Sequence, residues 1–263
     1  MSSDRLTDEQ FWTDIWNLQH HKVRHLRWAY VANRQLARLF KRGLTSFTCP
    51  KLIEIGCADS LWLPFLAQSY ELDGYGIDFS EIGCQLAKRN LTIKGVEATI
   101  VCQDFFDFAQ THPVEFDFVY SMGLIEHFTD ATEILREMYR ILKPAGKMLT
   151  IIPNLRGMYT PIAKIASPKF LAKHKVIRPV DLSGNLQAVG FDVLEVGYTG
   201  GALKLSVVDY SPWISTVGKL GHEVLCKLIN LTDIVVANAL SAICIPNQQL
   251  TSPYVYAICK KRT

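Results

Sequence analysis

The chain has 263 residues, 49% of them hydrophobic, with 28 Lys and Arg against 25 Asp and Glu and a formal net charge of +3. That length suits one α/β domain with insertions and an ample core, and a charge so near neutral excludes the basic footprint of a nucleic-acid binder. The seven cysteines (49, 57, 84, 102, 226, 244 and 259) contain no Cys-x-x-Cys pair, so they read as reduced thiols of a cytoplasmic protein, not as a disulfide framework or a zinc site.

In chain order, residues 7–43 read as helix. Thr7 is the expected N-cap with Gln10 closing the box, and Phe11, Ile15, Leu18, Leu26, Tyr30, Leu36, Leu39 and Phe40 recur at three- and four-residue spacing up to Gly43, the expected C-cap. The basic residues Arg24, Arg27, Arg34, Arg38, Lys41 and Arg42 are its solvated face. Strands follow at 51–55, 74–78, 97–102, 116–121 and 146–152, with helices at 61–69, 80–93 (capped by Ser80) and 130–142 (from Asp130). This alternation predicts a doubly wound, mostly parallel sheet. Residues 154–178, rich in Lys and Pro, read as a loop or short-helix insertion. A helix at 180–189, a strand at 191–196 and a last strand at 254–259 complete the pattern. The roughly 50 residues before the last strand exceed any hairpin, and they contain two predicted helices, 211–229 and 231–244. Their apolar bias serves core, a dimer face, or a surface toward an apolar substrate or membrane. Met1-Ser-Ser-Asp-Arg5 lacks the apolar core of a signal peptide. The longest apolar stretch, Ile234 to Ile245 with Asn238 inside, is too short to span a bilayer, so no integral membrane segment is expected.

The informative stretch is Leu52-Ile-Glu-Ile-Gly-Cys-Ala-Asp-Ser60: an apolar strand broken by a turn of small residues, then a helix. The next strand ends in Gly76-Ile-Asp78 and the one after in Gln103-Asp104. An open α/β sheet holds an adenosine ligand in this way. Small residues admit the ligand to the backbone, the first acid accepts the ribose hydroxyls, and the second accepts the adenine amino group. The dinucleotide fingerprint fails, because Ala58 and Leu61 stand at its second and third glycines. No phosphate loop of the Gly-Lys-Ser/Thr type occurs either. A nicotinamide dehydrogenase is therefore a remote alternative.

With Phe116-Asp117-Phe-Val-Tyr-Ser121, Gly123-Leu-Ile-Glu-His-Phe128 and Leu142-Lys-Pro-Ala-Gly146 following in order, the sequence resembles the class I S-adenosylmethionine-dependent methyltransferases. The resemblance covers about residues 50–155 well and 180–200 weakly. It implies a seven-stranded sheet whose last strand is antiparallel, a cofactor-binding core at 49–153, an N-terminal helical lid at 1–48, and substrate-side insertions at 154–179 and 202–250. It implies S-adenosyl-L-methionine as cofactor and in-line methyl transfer to N or O of a small-molecule acceptor. The competing functions are a lipid or quinone methyltransferase at a membrane surface and a non-catalytic scaffold, for which Ala58 is the only support.

Carried over by position, Glu54 lies near the cofactor's amino group or holds the turn, and Gly56 and Ala58 form the turn. Asp78 takes the ribose, with Phe79 on the adenine. Gln103, Asp104 and Phe105 border the base, and the backbones of Ser121, Met122 and Gly123 approach the sulfonium. His127 is the candidate proton acceptor, or else a structural histidine bonding across the turn. Trp12, Trp16 and His20 share one helical face with Tyr30 further on; they wall the methionine end, cage a cationic amine or simply pack the helix. Tyr159, His174, Tyr198, Tyr210 and Trp213 are unranked acceptor-pocket residues. No metal is assigned, and the protein is expected as a monomer or homodimer.

Overall fold

Every apolar run that predicts a strand enters one sheet. The computed structural model describes residues 5–19 and 25–263, with Leu18 and Gln19 by backbone alone. The elements are α1 (Glu9–Gln19), α2 (Val31–Leu44), β1 (Lys51–Ile55), α3 (Trp62–Ser69), β2 (Asp73–Asp78), α4 (Glu81–Lys94), β3 (Thr99–Cys102), α5 (Phe105–Thr111) and β4 (Phe116–Met122). Then come α6 (Ala131–Ile141), β5 (Leu142–Pro153), α7 (Tyr159–Ala166), α8 (Pro168–Leu171), α9 (Pro179–Val189), β6 (Phe191–Thr199), α10 (Ile214–Ala242) and β7 (Tyr254–Lys261).

The strand order is β3-β2-β1-β4-β5-β7-β6. β1 pairs parallel with both β2 and β4, so the winding reverses there and opens a crevice at the strands' carboxyl ends. β7 runs antiparallel between β5 and β6. Both sheet faces are covered. Phe105, Ile134, Met138, Leu182 and Leu186 pack one face from α5, α6 and α9. Leu36, Leu39, Phe40, Trp62, Leu66 and Leu91 pack the other from α2, α3 and α4. Each such side chain contributes about 1.5–3 kcal/mol by leaving water. Gly43 belongs to this second layer and is no helix cap: a Cβ there would stand 2.6 Å from Phe118 Cε2, so its lack of a side chain lets α2 lie on the sheet.

Four further expectations need correction. The N-terminal helix is two helices, because residues 25–30 are not helical and the Arg34 guanidinium donates instead to the carbonyls of Trp28 and Ala29. Asp8, not Thr7, caps α1, accepting from the Phe11 N–H at 2.8 Å. The break expected at Asn230 between two helices lies instead at Gly218 (φ 72°, ψ 167°), where α10 is kinked, and Asn230 sits in the continuous helical run after it. The polar residues that suggested a break are bonded inward. Asn230 accepts from Tyr30 Oη (2.7 Å), Asp233 from the N–H of Leu205 and Ser206, and Asn238 from Arg34 (2.6 Å). Leu220, Val224, Leu228, Leu231 and Val235 point outward, with Leu220 77% exposed. The segment Ser211–Ala242 is long and apolar enough to cross a membrane by length and composition, so the 12-residue estimate from sequence was too short.

Candidate cofactor and acceptor site

Gly56 turns the chain out of β1 at φ +74°, a conformation that costs glycine nothing. The N–H groups of Gly56 and Cys57 both donate to Ile77 O, which ties the turn to β2. Asp78, at the tip of β2, then accepts from Ala58 N–H (3.1 Å) and Ser80 N–H (2.8 Å). Each of its oxygens keeps further acceptor capacity for a ligand hydroxyl. Burial pushes its carboxyl up to about 6, against the pull of those N–H groups. A Cβ added at Gly83 would lie 3.2 Å from the Ala58 methyl, so that methyl packs against α4.

Glu54 lies behind the turn. Its carboxylate accepts from Tyr120 Oη at 2.8 Å and is only 3% exposed, so of its two expected roles the geometry favours holding the turn. Burial raises its carboxyl from 4.5 to about 8, with bonds from Ser60 and Tyr120 opposing. Since the folded value exceeds the unfolded one, the stabilisation is complete below about pH 4.5 and is lost as the pH rises through 8. Glu54→Gln should therefore gain on the native chain as pH rises from 5 to 8, at most about 1.4 kcal/mol per unit of raised pKa. Urea melts at both pH values measure this, and a pH-independent difference would show that Glu54 is ionised in the folded state.

Beyond the tip of β3, Asp104 caps α5 through Phe106 N–H (2.8 Å), while its other oxygen meets Arg5 Nη2 at 2.6 Å. The Arg5 guanidinium also lies 5.4 Å from the Phe79 ring centroid. Two of the residues expected around the base, Phe79 and Asp104, thus meet through an arginine that the sequence reading did not include. Phe105 departs from expectation: it is 6% exposed and belongs to the core beneath the sheet. Gln103 is exposed, and its N–H donates to Asp78 O.

Ser121 spends its hydroxyl on Thr150 Oγ1 (3.0 Å), which leaves backbone alone for a ligand, and Met122 packs into the α2–α3 layer. Gly123, at φ +66°, opens onto a cavity of about 230 Å³ lined by Trp12, Glu126, His127, Tyr159, Phe170, His174 and Val208. Trp12 meets His127 edge-on at 5.0 Å and stacks on Trp16 at 5.6 Å, so α1 contributes Trp12 to the cavity wall. His20 lies outside the described residues. Tyr30 is elsewhere, buried under α10. Tyr159 and His174 reach the cavity, whereas Tyr210 and Trp213 pack beside α7 and Tyr198 bonds Gln249.

Burial and the neighbouring His174 hold the His127 imidazole down to about 3, so it is neutral, and its Nδ1 faces Lys173 O at 2.8 Å. Glu126 is 1% exposed, its carboxyl raised to about 8 by burial, and neither of its side-chain oxygens has a hydrogen-bond partner. One donor atom each of Glu126, His127 and His174 lies within 4.8 Å of the other two. The sequence reading, which assigned no metal, did not contain this cluster.

The small-residue turn, the two acids and the glycine-lipped cavity fit S-adenosylmethionine, a ligand without phosphates. A family model described as a methyltransferase domain matches residues 20–196. Ubiquinone biosynthesis O-methyltransferases of Klebsiella pneumoniae and Yersinia pestis are each 25% identical, over 175 and 176 residues; both matches cover 62% of this chain and 67% of the relative. Among solved structures, the [4+2]-cyclase SpnF superposes with a TM-score of 0.61 at 15% identity, covering 87% of this chain and 80% of that one. A Haemonchus contortus phosphoethanolamine N-methyltransferase, solved with phosphomonomethylethanolamine and S-adenosylhomocysteine, superposes at 0.57 with 18% identity, covering 88% and 53%. These likenesses show the fold, and the cyclase is a reminder that the fold alone does not name a reaction.

Proposed function

The chain belongs to the methyltransferase domain family and is an S-adenosylmethionine-dependent methyltransferase, and from that premise we propose that it methylates an oxygen or nitrogen of a small molecule held in the cavity beyond Gly123. The observation that carries this reading is the junction at Gly123. Paired acids stand at the tips of β2 and β3 on one side, and an apolar cavity with a neutral histidine stands on the other. The cofactor supplies a methyl group on sulfonium, already activated, so alignment accounts for much of the rate. Asp78 accepts the ribose hydroxyls, Asp104 and Phe79 hold the base, and Trp12 closes the cavity against water. His127 stands at the cavity wall, its neutral imidazole presenting Nε2 to the acceptor.

Calorimetry with S-adenosylhomocysteine and with NAD, followed by a product screen over small phenols and amines, tests the reading. Saturable binding of the first ligand alone, with mass gains of one methyl, is expected. Equal binding of NAD, or the absence of any methylated product, would remove it.

A second reading has its own observation. α10 turns Asn230, Asp233 and Asn238 inward and exposes an apolar stripe of Leu220, Val224, Leu228, Leu231 and Val235, a face that an ordinary surface helix would bury. Such a face suits a lipid interface, and an acceptor with a long apolar tail would be taken from there. On this reading the protein should float with vesicles of phosphatidylglycerol and phosphatidylcholine, and Leu228→Asp with Leu231→Asp should release it. A wild-type chain that stays in the aqueous fraction eliminates this reading.

A further inference from the structure

Glu126, His127 and His174 come from two places in the chain. The first two form the short turn after β4, and the third follows α8. They meet at the wall of the acceptor cavity. Both imidazoles are oriented alike. His127 Nδ1 lies 2.8 Å from Lys173 O and His174 Nδ1 lies 2.8 Å from Phe170 O. A carbonyl only accepts, so each Nδ1 carries the hydrogen and each Nε2 keeps a lone pair. Fixing the tautomer through a backbone carbonyl is how proteins prepare a histidine to bind a metal. The third group is the buried carboxylate of Glu126, whose oxygens have no protein partner; Oε1 is 4.0 Å from His127 Nε2. Two neutral histidines merely packed beneath Trp12 would not explain why a carboxylate is buried beside them with no donor. A buried acid without a donor is satisfied either by a proton or by a cation, and the two Nε2 lone pairs beside it favour a cation.

We infer that Glu126, His127 and His174 form a binding site for a divalent first-row transition metal ion, with open coordination positions toward the acceptor cavity. Two imidazoles and one carboxylate suit zinc, manganese(II) or iron(II); magnesium and calcium prefer oxygen-only sets. The present spread of up to 4.8 Å between donor atoms has to contract to roughly 3.4 Å around an ion with bonds near 2.1 Å, a movement within reach of glutamate rotamers. Gly123 lies beside this site, since a Cβ there would be 3.6 Å from Glu126 Oε1. The assignment of a ligand for the open positions rests on the methyltransferase reading: it is an acceptor oxygen. The ion binds the acceptor hydroxyl as a Lewis acid, and its proton passes to water. The oxygen lone pair then forms the C–O bond while the C–S bond breaks, its electron pair returning to sulfur as a neutral thioether. The metal keeps its oxidation state.

The test uses the full chain, stripped with EDTA and titrated with cobalt(II) under visible absorption, then displaced by zinc. We expect one cobalt per chain, with ligand-field bands and no thiolate charge-transfer band. The last point matters because Cys49, Cys102 and Cys244 are exposed. His174→Gln and Glu126→Gln should each weaken binding at least about 100-fold, more than the loss of an orienting partner costs, while His25→Gln should change nothing. No stoichiometric cobalt, a thiolate band, or wild-type affinity in both cluster variants would overturn the inference. S-adenosylhomocysteine calorimetry on the same samples serves as the folding control and separates the two readings. A wild-type chain that binds S-adenosylhomocysteine but no cobalt sinks only the metal site, and one that binds cobalt but no S-adenosylhomocysteine sinks only the methyltransferase reading.

Discussion

Asp78→Ala is expected to weaken S-adenosylhomocysteine binding by two powers of ten or more. Two charge-assisted bonds to ribose hydroxyls contribute at least about 3 kcal/mol together, and each 1.4 kcal/mol is a factor of ten. The substitution also strips Ala58 and Ser80 of the acceptor for their N–H groups, which loosens the turn itself. Because burial holds the Asp78 carboxyl up to about 6, affinity in the native chain should also improve as the pH rises from 5 to 7 and the carboxylate ionises. Calorimetry reads both effects. Affinity within threefold of the native value, flat with pH, would remove Asp78 from the site.

His127→Asn should lower turnover by roughly 10²-fold or more, in the range that loss of a group acting directly on the acceptor costs, while S-adenosylhomocysteine affinity stays within threefold. Asparagine is chosen because its side-chain amide can still donate to Lys173 O, where Nδ1 does now. The loop after α8 therefore keeps its anchor, and only the chemistry of Nε2 is lost. A kcat that survives would reduce His127 to the structural bond it already makes. A loss of cofactor-product affinity together with kcat would show that the turn, not the group acting on the acceptor, was damaged.

The cofactor half of the molecule was legible because local chemistry and global position agree there. Ser80 caps α4 by accepting from Gly83 N–H, Asp130 caps α6 by accepting from Thr132 N–H, and the five parallel strands lie where the apolar runs are. What escaped was tertiary. Asn230, Asp233 and Asn238 read as interruptions until their partners on α2 and the 205–206 turn are seen. Gly43 looked like a cap when it is a contact. His174 was named for the acceptor pocket but could not be joined to Glu126 and His127, because no spacing rule links a residue on a loop to one 47 positions earlier. Arg5 had no motif at all.

That arginine has a kinetic consequence. It pairs with Asp104, the side chains 21% and 30% exposed, and lies 5.4 Å from the Phe79 ring centroid, so on the proposed reading it stands where the adenine ring has to settle. Arrival of the nucleoside is then an exchange of one cation-bearing lodger for a neutral heterocycle. Measured affinity equals the intrinsic affinity multiplied by the fraction of molecules whose arginine has already withdrawn. Added salt, by screening the pair, enlarges that fraction. Ionic strength should therefore quicken capture of a ligand whose own recognition hardly depends on it.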